Sequence, residues 1–525
     1  MAQSPFTPED LHQIEAHGLT LEEVQRQLAL FKARTSYLRL MSPCTPDNGI
    51  TVLEAKAMGR LGEFYTQKGP EHQCIKFVPA SGAASRMFKS LLKFLNKEEE
   101  LTRERVSKAA AAGDEDAEKL LKFMEGIKRF AFFQDLQEVL TQKGFTPETL
   151  IEQGRFREII HFLLTEEGLN YARRPKGLLR FHEYPQGSRT AFEEHLVEAV
   201  FYVQDQTNTC RLHFTVSHEH EADFRSLFTE VRPGYQRRYG VLYDTDFSTQ
   251  ALSTDTIAVT LDNRPLRQPD GRLLFRPGGH GALLQNLNAL QADILFIKNI
   301  DNVVPDRLKE ETFRWKRILG GLLLEVQDEI FGYLRRLASR EETVSFLSEV
   351  TDYIENRLSY PVPEAVKEAS PSAKRSYALE RLNRPIRVCG MVKNVGEPGG
   401  GPFWVMDADG ETSRQIVETA QIDPHDPHQQ EILQASTHFN PVDLVCGVRD
   451  WQGIPFDLSR YTDPDAVFIS RKSKDGQDLK ALEHPGLWNG SMARWITLFV
   501  EVPKITFNPV KTVNDLLRDE HRPGG

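Results

Sequence analysis

The sequence RPGGHGALL at residues 276–284, followed by DILFIKNIDN at residues 293–302, decides the fold. The first part is a glycine-dense turn that opens a helix predicted at residues 283–290, where backbone N–H groups suit polar or anionic ligands. The second part holds a short apolar run, typical of a buried parallel strand, with Asn299 and Asp301 at its C-terminal end. Ligands bind at that end of open α/β sheets. Although a lone aspartate after a strand more often caps a turn, the combination predicts half of a nucleotide site.

Chain length, net charge and cysteine spacing limit the kinds of protein that this sequence can encode. A chain of 525 residues predicts two to four structural units. The net charge of -10 argues against a general nucleic-acid binder. The N-terminus lacks a signal-peptide pattern and no run is apolar enough for a membrane span, so we expect a cytoplasmic protein without a membrane partner. The cysteines are scattered, without Cys-x-x-Cys spacing, which predicts reduced thiols: Cys44, Cys74, Cys210, Cys389 and Cys446.

A second phosphate-binding pattern lies near the N-terminus. Residues 74–79 read as a strand that runs into a turn of small residues, and a helix follows. Small side chains let a phosphate approach the main chain. The alternative is a tight turn without a ligand. The candidate residues are Ala80, Ser81, Gly82, Ser85 and Arg86.

Helical and strand-rich segments alternate along the chain. Apolar spacing predicts helices at residues 6–40, 89–172 and 306–358, and strands return after residue 371. We predict an N-terminal helical appendage (1–65), a nucleotide-binding core (66–305) with a helical insertion at about 89–172, a helical block (306–370) and a C-terminal part of the core (371–525), which the resemblance described below makes its sugar side. The fold class is α/β, with a mostly parallel, doubly wound sheet, large helical insertions and a β-containing C-terminal region.

Two polar segments have competing interpretations. Lys176, in the sequence RRPKGLL at residues 173–179, is ordinarily read as a solvated surface lysine, and the alternative, a phosphate contact, is what the resemblance described below implies. The run His218-Glu219-His220-Glu221 follows a predicted strand and is either a metal site or, more often for such runs, a solvated helix start.

Several of these stretches resemble motifs of the UDP-sugar pyrophosphorylases, which join a sugar 1-phosphate to UTP. The glycine turn and the strand ending in Ile300-Asp301-Asn302 are similar to the PGHG-type turn and metal-site strand of that family. The sequence FNPVKTVNDLL at residues 507–517 is similar to its Pro-Val-Lys-Thr-x-x-Asp-Leu-Leu motif. The whole chain also resembles a bacterial family of unknown function grouped near that superfamily.

The resemblance implies roles for individual residues. It implies that Asp301 holds Mg²⁺ and that Arg86, Lys176 and Lys511 neutralise phosphate oxygens. The loop at residues 80–86 keeps one glycine of the family's glycine-rich pattern. The implied nucleotide-binding residues, beyond that loop, are Gln250, Gly279, His280 and Gly281. The implied sugar-binding residues are Glu418 and Asn440, whose ordinary roles would be a surface acid and a turn asparagine.

The resulting hypothesis is a nucleotidyltransferase that takes a nucleoside triphosphate, UTP by resemblance, and a sugar 1-phosphate, and releases pyrophosphate. Two alternatives stay open at this point. One is a nucleotide-binding regulator that has lost turnover, and the other is a glycosyltransferase of the same fold. The sequence identifies neither the sugar nor the oligomeric state.

Overall fold

The computed structural model describes residues 6–32, 37–82, 84–96, 101–339, 343–396, 399–439, 443–474 and 477–522. The chain divides into two compact units. Unit 1 comprises Met1–Ile75, Gln250–Ile297 and Arg317–Pro503, and unit 2 comprises Lys76–Thr249, Lys298–Lys316 and Lys504–Gly525. The four-part division predicted from the sequence stays a prediction.

The helices begin where apolar residues recur at helical spacing behind capping residues. Their bounds are α1 Pro8–Ala16, α2 Leu21–Lys32, α3 Ala55–Lys68, α4 Lys89–Leu95, α5 Arg103–Ala111, α6 Glu115–Gly126, α7 Phe133–Gln142, α8 Pro147–Glu152, α9 Phe156–Leu164, α10 Ala191–Ala199, α11 Glu221–Tyr239, α12 Leu283–Asn288, α13 Lys309–Ser339, α14 Val344–Asp352, α15 Glu364–Lys367, α16 Pro371–Leu382 and α17 Pro427–Gln434. Among the described residues, none of these helices has both the length and the apolar character needed to cross a bilayer.

The strands occupy the short apolar runs between the helices. Their bounds are β1 Arg39–Pro43, β2 Ile50–Thr51, β3 Cys74–Pro79, β4 Arg180–His182, β5 Arg189–Thr190, β6 Thr209–Val216, β7 Leu242–Thr249, β8 Asp255–Ile257, β9 Phe275–Pro277, β10 Ile294–Lys298, β11 Ile386–Lys393, β12 Gly401–Met406, β13 Thr412–Val417, β14 His438–Phe439, β15 Asp443–Gly447, β16 Phe468–Lys474, β17 Gln477–Glu483 and β18 Ile496–Glu501.

Unit 2 is built on parallel strands. β3 pairs with β6, and β6 pairs with β7, in parallel throughout. Parallel strands need both faces covered, and β3 is buried along almost its whole length, whereas in β7 only Tyr243 and Phe247 are buried. The helix α10 is buried along its whole length, although it contains three glutamates and a histidine. Unit 2 also contains the helices at residues 89–164, which lie where the insertion is predicted.

Unit 1 combines parallel and antiparallel pairs. β2, β18 and β11 are parallel neighbours, and β11 pairs antiparallel with β14 and β15. β1, β12 and β13 form a separate antiparallel sheet. The predicted fold class is therefore confirmed as mixed α/β with a mostly parallel central sheet and a strand-containing C-terminal region.

The N-terminal segment packs within unit 1. Val24, Leu28 and Phe31 of α2 contact Ile257 and Leu273 in one buried cluster. The prediction of helices throughout residues 6–40 is wrong at its end, because residues 39–43 form β1. β1 pairs with β12, a strand far away in the sequence. Such long-range pairing overrides the local helical spacing.

Candidate active site

Asp301 of unit 2 lies three residues beyond the end of β10 and forms the centre of the candidate site. The Nζ atom of Lys176 lies 2.7 Å from its Oδ2 atom. The same Nζ atom donates a second hydrogen bond of 2.7 Å to the backbone carbonyl of Val510. Both charged side chains are largely buried, with exposed fractions of 8% for Asp301 and 14% for Lys176. Lys176 is therefore fixed by the protein, and its interpretation as a solvated surface lysine is wrong.

The second lysine approaches the same carboxylate from the C-terminal segment. The Nζ atom of Lys511 lies 3.6 Å from Asp301 Oδ2, and its side chain is 63% exposed. The backbone N–H groups of Lys511 and Thr512 donate to the Asp515 carboxylate at 2.8 and 2.6 Å. This capping arrangement fixes the backbone of the PVKT turn while leaving the ammonium group free to move. The structure thus brings two predicted phosphate-binding lysines to one predicted metal ligand.

The backbone around Asp301 is fastened to the C-terminal segment. Asp301 O accepts a hydrogen bond from Val510 N at 3.0 Å. The next residue, Asn302, accepts from Asn508 N through Oδ1 at 2.9 Å and donates through Nδ2 to the Thr506 carbonyl at 3.2 Å. These bonds pair two segments that are distant in sequence. They hold Asp301 and Lys511 within reach of each other without depending on a ligand.

The first predicted phosphate loop also belongs to unit 2. It follows β3 directly, and Ala80 N donates to Thr215 O at 2.8 Å. Ala84 N donates to Arg174 O at 3.0 Å, so the chain that leaves at the helical insertion returns beside its own starting point, just before Lys176. Ser81, Gly82, Ser85 and Arg86 are exposed, and Ala83 lies outside the described residues.

Arg86 lies close to the PVKT turn. It lines a cavity of about 160 Å³ together with Thr512 and Asn514. Val513 N donates to Met87 O at 3.2 Å, which ties the two segments together. The cationic residues predicted from three separate motifs are therefore linked through their backbones within unit 2.

Behind the site, α10 carries a buried charge network. The Glu198 carboxylate accepts from Lys76 at 2.9 Å and from Lys298 at 2.9 and 3.1 Å, and all three side chains are almost fully buried. Burial alone would raise the pKa of Glu198, but the two ammonium groups hold that pKa well below its usual value. The carboxylate therefore stays charged and anchors Lys298, three residues before Asp301.

His195, on the same helix, supports the backbone next to Asp301. Its Nε2–H donates to the Ile300 carbonyl at 3.2 Å. Burial, reinforced by the charge of Lys76, lowers its pKa well below the usual histidine value, so the ring is neutral. Sequence reasoning missed Glu198 and His195. The sequence feature that could have indicated these two residues is the presence of several charged residues in a predicted helix that is otherwise apolar.

Glu194 organises a second buried group on α10. It pairs with Lys309 at 2.9 Å, with His182 Nδ1 at 2.9 Å and with the Tyr184 hydroxyl at 2.8 Å. The Nε2 atom of His182 in turn lies 3.1 Å from Nδ1 of His521, and the two rings stack. Because the Glu194 carboxylate only accepts, His182 Nδ1–H donates to it. Burial lowers the pKa of His182, so its ring is neutral, and its Nε2 atom accepts from Nδ1–H of His521.

This histidine pair makes stability depend on pH. Burial, followed by the neighbouring His182 ring and the charge of Arg518, lowers the pKa of His521 to about 2. Below about pH 6.5 the unfolded chain binds the proton and the folded chain does not, so the free energy of unfolding falls as the pH falls. Between about pH 6.5 and 5 we expect His521 to contribute a loss of about 2 kcal/mol. Urea unfolding of the wild type and His521→Gln at both pH values measures the difference, and equal pH dependence in the two proteins would refute it.

The predicted base-binding residues lie in unit 1. His280 Nε2 is 3.4 Å from Glu418 Oε1, and its ring packs against Trp488 with 4.4 Å between ring centres. This contact joins a predicted nucleotide residue to a predicted sugar residue. Asn440, the other predicted sugar residue, lies outside the described residues.

The glycine turn is shaped by protein packing. A Cβ atom on Gly278 would lie 2.4 Å from the His484 ring, and one on Gly281 would lie 2.1 Å from the Pro485 carbonyl. Gly279 has a φ of +77°, in the region that favours glycine. The neighbouring segment 484–485 therefore requires Gly278 and Gly281, and the ligand-binding role predicted for this turn stays a prediction.

Gln250 has an unused hydrogen-bond donor. Its Nε2 atom is buried and has no hydrogen-bond partner among the residues that the structure describes. A buried amide donor without a partner costs about 1–3 kcal/mol. A ligand with a carbonyl oxygen would satisfy it.

The described residues contain no group of three or more acidic, histidine or cysteine side chains placed to hold a metal. His218–His220 form a short helical turn ahead of α11, which agrees with the interpretation as a helix start. The predicted metal site therefore rests on Asp301 alone and stays a prediction; Mg²⁺ commonly binds one or two carboxylates plus substrate phosphates. All five cysteines are buried and free, as predicted for reduced thiols.

Comparison of the whole chain with protein families gives one decisive match. The family described as Domain of unknown function (DUF4301) matches residues 7–522. The chain belongs to the DUF4301 family. Comparison of this DUF4301 chain with curated proteins gives no match.

The DUF4301 chain is similar to solved UDP-sugar pyrophosphorylases. One is a UDP-glucose pyrophosphorylase variant from Leishmania major in complex with UDP-glucose, with a TM-score of 0.41 and 12% sequence identity. The matched region covers 97% of the DUF4301 chain and 77% of the Leishmania chain. Another is a uridine diphosphate N-acetylglucosamine pyrophosphorylase from Trypanosoma brucei, with a TM-score of 0.46 and 13% sequence identity. The matched region covers 94% of the DUF4301 chain and 74% of the Trypanosoma chain.

Proposed function

We propose that this DUF4301 protein transfers a nucleotidyl group from a nucleoside triphosphate, UTP in our assignment, to a sugar 1-phosphate. The observation that carries the proposal is the convergence of Lys176 and Lys511 on the Asp301 carboxylate, at 2.7 and 3.6 Å. Two cations and one carboxylate suit a reaction in which polyphosphate charge must be neutralised and a divalent ion held. The motif resemblance that predicted these three residues supports the same assignment.

In the proposed reaction, an oxygen of the sugar 1-phosphate attacks the α-phosphorus of the triphosphate. The new P–O bond forms as the bond to the β-phosphate oxygen breaks, and pyrophosphate leaves with the bonding electron pair. The protein supplies position and charge, and no protein nucleophile is needed. Mg²⁺, when bound at Asp301, would neutralise the α-phosphate and stabilise the transition state.

The two lysines have different parts in this scheme. Lys176 is largely buried and fixed by Asp301 and the Val510 carbonyl, so it presents a charge of constant position. Lys511 is mostly exposed on a fixed backbone, so its side chain is free to follow the pyrophosphate group as it leaves. Arg86, exposed on the linked loop, would contact the remaining phosphate oxygens.

The proposal is tested by incubating the full-length protein with Mg²⁺, UTP and a panel of sugar 1-phosphates. Pyrophosphate release that requires both substrates, together with a nucleotide sugar detected by mass spectrometry, supports it. A glycosyltransferase would consume a nucleotide sugar and release a nucleoside diphosphate. A regulator would bind nucleotide without product formation, and either outcome contradicts the proposal.

Base recognition gives a separate prediction. The unpaired Gln250 amide suits a uracil carbonyl, since glutamine can donate to one ring atom and accept from the next. UTP should therefore raise the thermal midpoint more than ATP at equal concentration, because a ligand at a hundred times its Kd adds about 2.7 kcal/mol.

The control for this prediction is the exposed Gln291. Gln250→Ala should remove the preference for UTP, whereas Gln291→Ala should retain it. Equal protection by UTP and ATP in the wild type would exclude uridine specificity, with or without transferase activity.

A further inference from the structure

Unit 2 contains a cavity of about 530 Å³ apart from the candidate active site. It is formed by the start of α7, by the segment from β4 to α10, and by α11. None of the residues Arg86, Lys176, Asp301 or Lys511 lines it. Its volume lies within the range of small-molecule pockets.

The inner wall of this cavity is fixed by charges that partner one another. Arg189 is 6% exposed and pairs with Asp306 through two bonds, at 2.7 and 3.0 Å. Its guanidinium lies 3.9 Å from the centre of the Tyr184 ring. Glu193 accepts from the Tyr235 hydroxyl at 3.1 Å and from Thr190 N at 2.7 Å. The wall is therefore preorganised, with both polar and aromatic surfaces.

Two further arginines face the cavity, and within the described residues neither forms an ion pair shorter than 3.4 Å. Arg180 donates to the Ser188 carbonyl at 2.8 Å. It lies 3.4 Å from Asp135 and 3.5 Å from Glu193, distances too long for strong charge-assisted hydrogen bonds to those carboxylates. Arg238 is exposed, and within the described part of the chain its side chain has neither an ion pair nor a hydrogen bond. Its guanidinium lies 5.4 Å from the centre of the Tyr239 ring.

Glycines keep the mouth of the cavity open. Gly234 lies inside α11 directly after Pro233, a pair of residues that disfavours a helix interior. A Cβ atom on Gly234 would meet no atom within 4 Å, and the same holds for Gly187. Gly187 has a φ of +117°, so its loop depends on glycine.

We propose that this cavity binds a phosphorylated, polyhydroxylated small molecule of the sugar-phosphate class. The guanidinium groups of Arg238 and Arg180 would hold the phosphate, because their planar donors match phosphate oxygens in pairs. Glu193, Gln186 and the tyrosines offer the mixed acceptors and donors that hydroxyl groups need. The site is separate from the proposed active site and does not depend on its chemistry.

Calorimetric titration of the full-length protein with glucose 6-phosphate and with inorganic phosphate tests this site. We expect glucose 6-phosphate to bind about tenfold more tightly than inorganic phosphate, and Arg238→Ala to weaken it by about tenfold or more. The neighbouring exposed Arg237 does not line the cavity, so Arg237→Ala is a control with the same change of charge and should bind as the wild type does. Gly234→Gln should block binding by filling the mouth while keeping every charge.

The outcomes separate this cavity from the active site. Lys511→Ala should leave the binding unchanged, and a loss of binding in that variant would assign the sugar phosphate to the active site and overturn the proposal. If Arg237→Ala and Arg238→Ala weaken the binding of glucose 6-phosphate equally, the effect reflects the overall charge of the protein and not this cavity. That result would also overturn the proposal. Absence of binding to the wild type, or equal affinity for inorganic phosphate, would equally contradict a sugar-phosphate site.

Discussion

Replacing Asp301 with alanine is expected to lower kcat/KM for nucleotidyl transfer by about a thousandfold or more. The variant loses the proposed Mg²⁺ ligand, and about 4 kcal/mol of transition-state stabilisation corresponds to that factor. It also leaves the largely buried Lys176 without its carboxylate partner. The measurement is steady-state pyrophosphate release across a range of Mg²⁺ concentrations.

Removing one partner of a buried ion pair can also destabilise a protein. Asp301→Asn therefore serves as a second variant, because it keeps the shape and an acceptor for Lys176 while removing the charge. Asp244→Ala is the matched control, since that carboxylate is 69% exposed. Wild-type activity in a folded Asp301→Asn protein, with an unchanged Mg²⁺ requirement, would remove Asp301 from the metal site.

The second large effect concerns the lysines. Lys176→Ala is expected to lower kcat/KM by about a hundredfold, and Lys511→Ala by about tenfold, since charge-assisted contacts contribute roughly 1.5–3 kcal/mol. The order follows from burial, because Lys511 is 63% exposed and more screened by solvent. Lys128→Ala, at an exposed position, should change the rate less than about twofold.

A double-mutant cycle shows whether the lysines act together. Since both contact Asp301, the loss in the Lys176→Ala/Lys511→Ala protein should depart from the sum of the single losses by about 0.5 kcal/mol or more. Strict additivity would mean that the two lysines act on separate events. A larger effect at Lys511 than at Lys176 would contradict the roles derived from burial.

Sequence motifs pointed to the charged residues of the candidate site, but not to the groups that hold those residues in place. Asp301, Lys176 and Lys511 could be singled out because each lies in a short motif that resembles a motif of the UDP-sugar pyrophosphorylases. The Val510 carbonyl that holds Lys176 was not, because a backbone acceptor leaves no signature in the side-chain pattern. The support from Asn302 and Asn508 likewise depends on two distant segments meeting.

Tertiary burial accounts for the other omissions. The charged residues of α10 lie in none of the motifs that the sequence analysis used, yet Glu194, His195 and Glu198 are all buried. Their partners come from other segments, such as Lys309 for Glu194 and Lys298 for Glu198. The strand at residues 39–43 escaped prediction for a similar reason, since its partner β12 is remote in sequence.

The most direct test of the central proposal is the reverse reaction. The wild-type protein is incubated with Mg²⁺, pyrophosphate and each of a panel of UDP-sugars, and UTP and sugar 1-phosphate are quantified by chromatography and mass spectrometry. A nucleotidyltransferase must form both products in equal amounts, and only when pyrophosphate is present, with Asp301→Asn forming neither. Release of UDP without consumption of pyrophosphate, or no turnover of UDP-sugars that bind, would contradict nucleotidyl transfer by this protein.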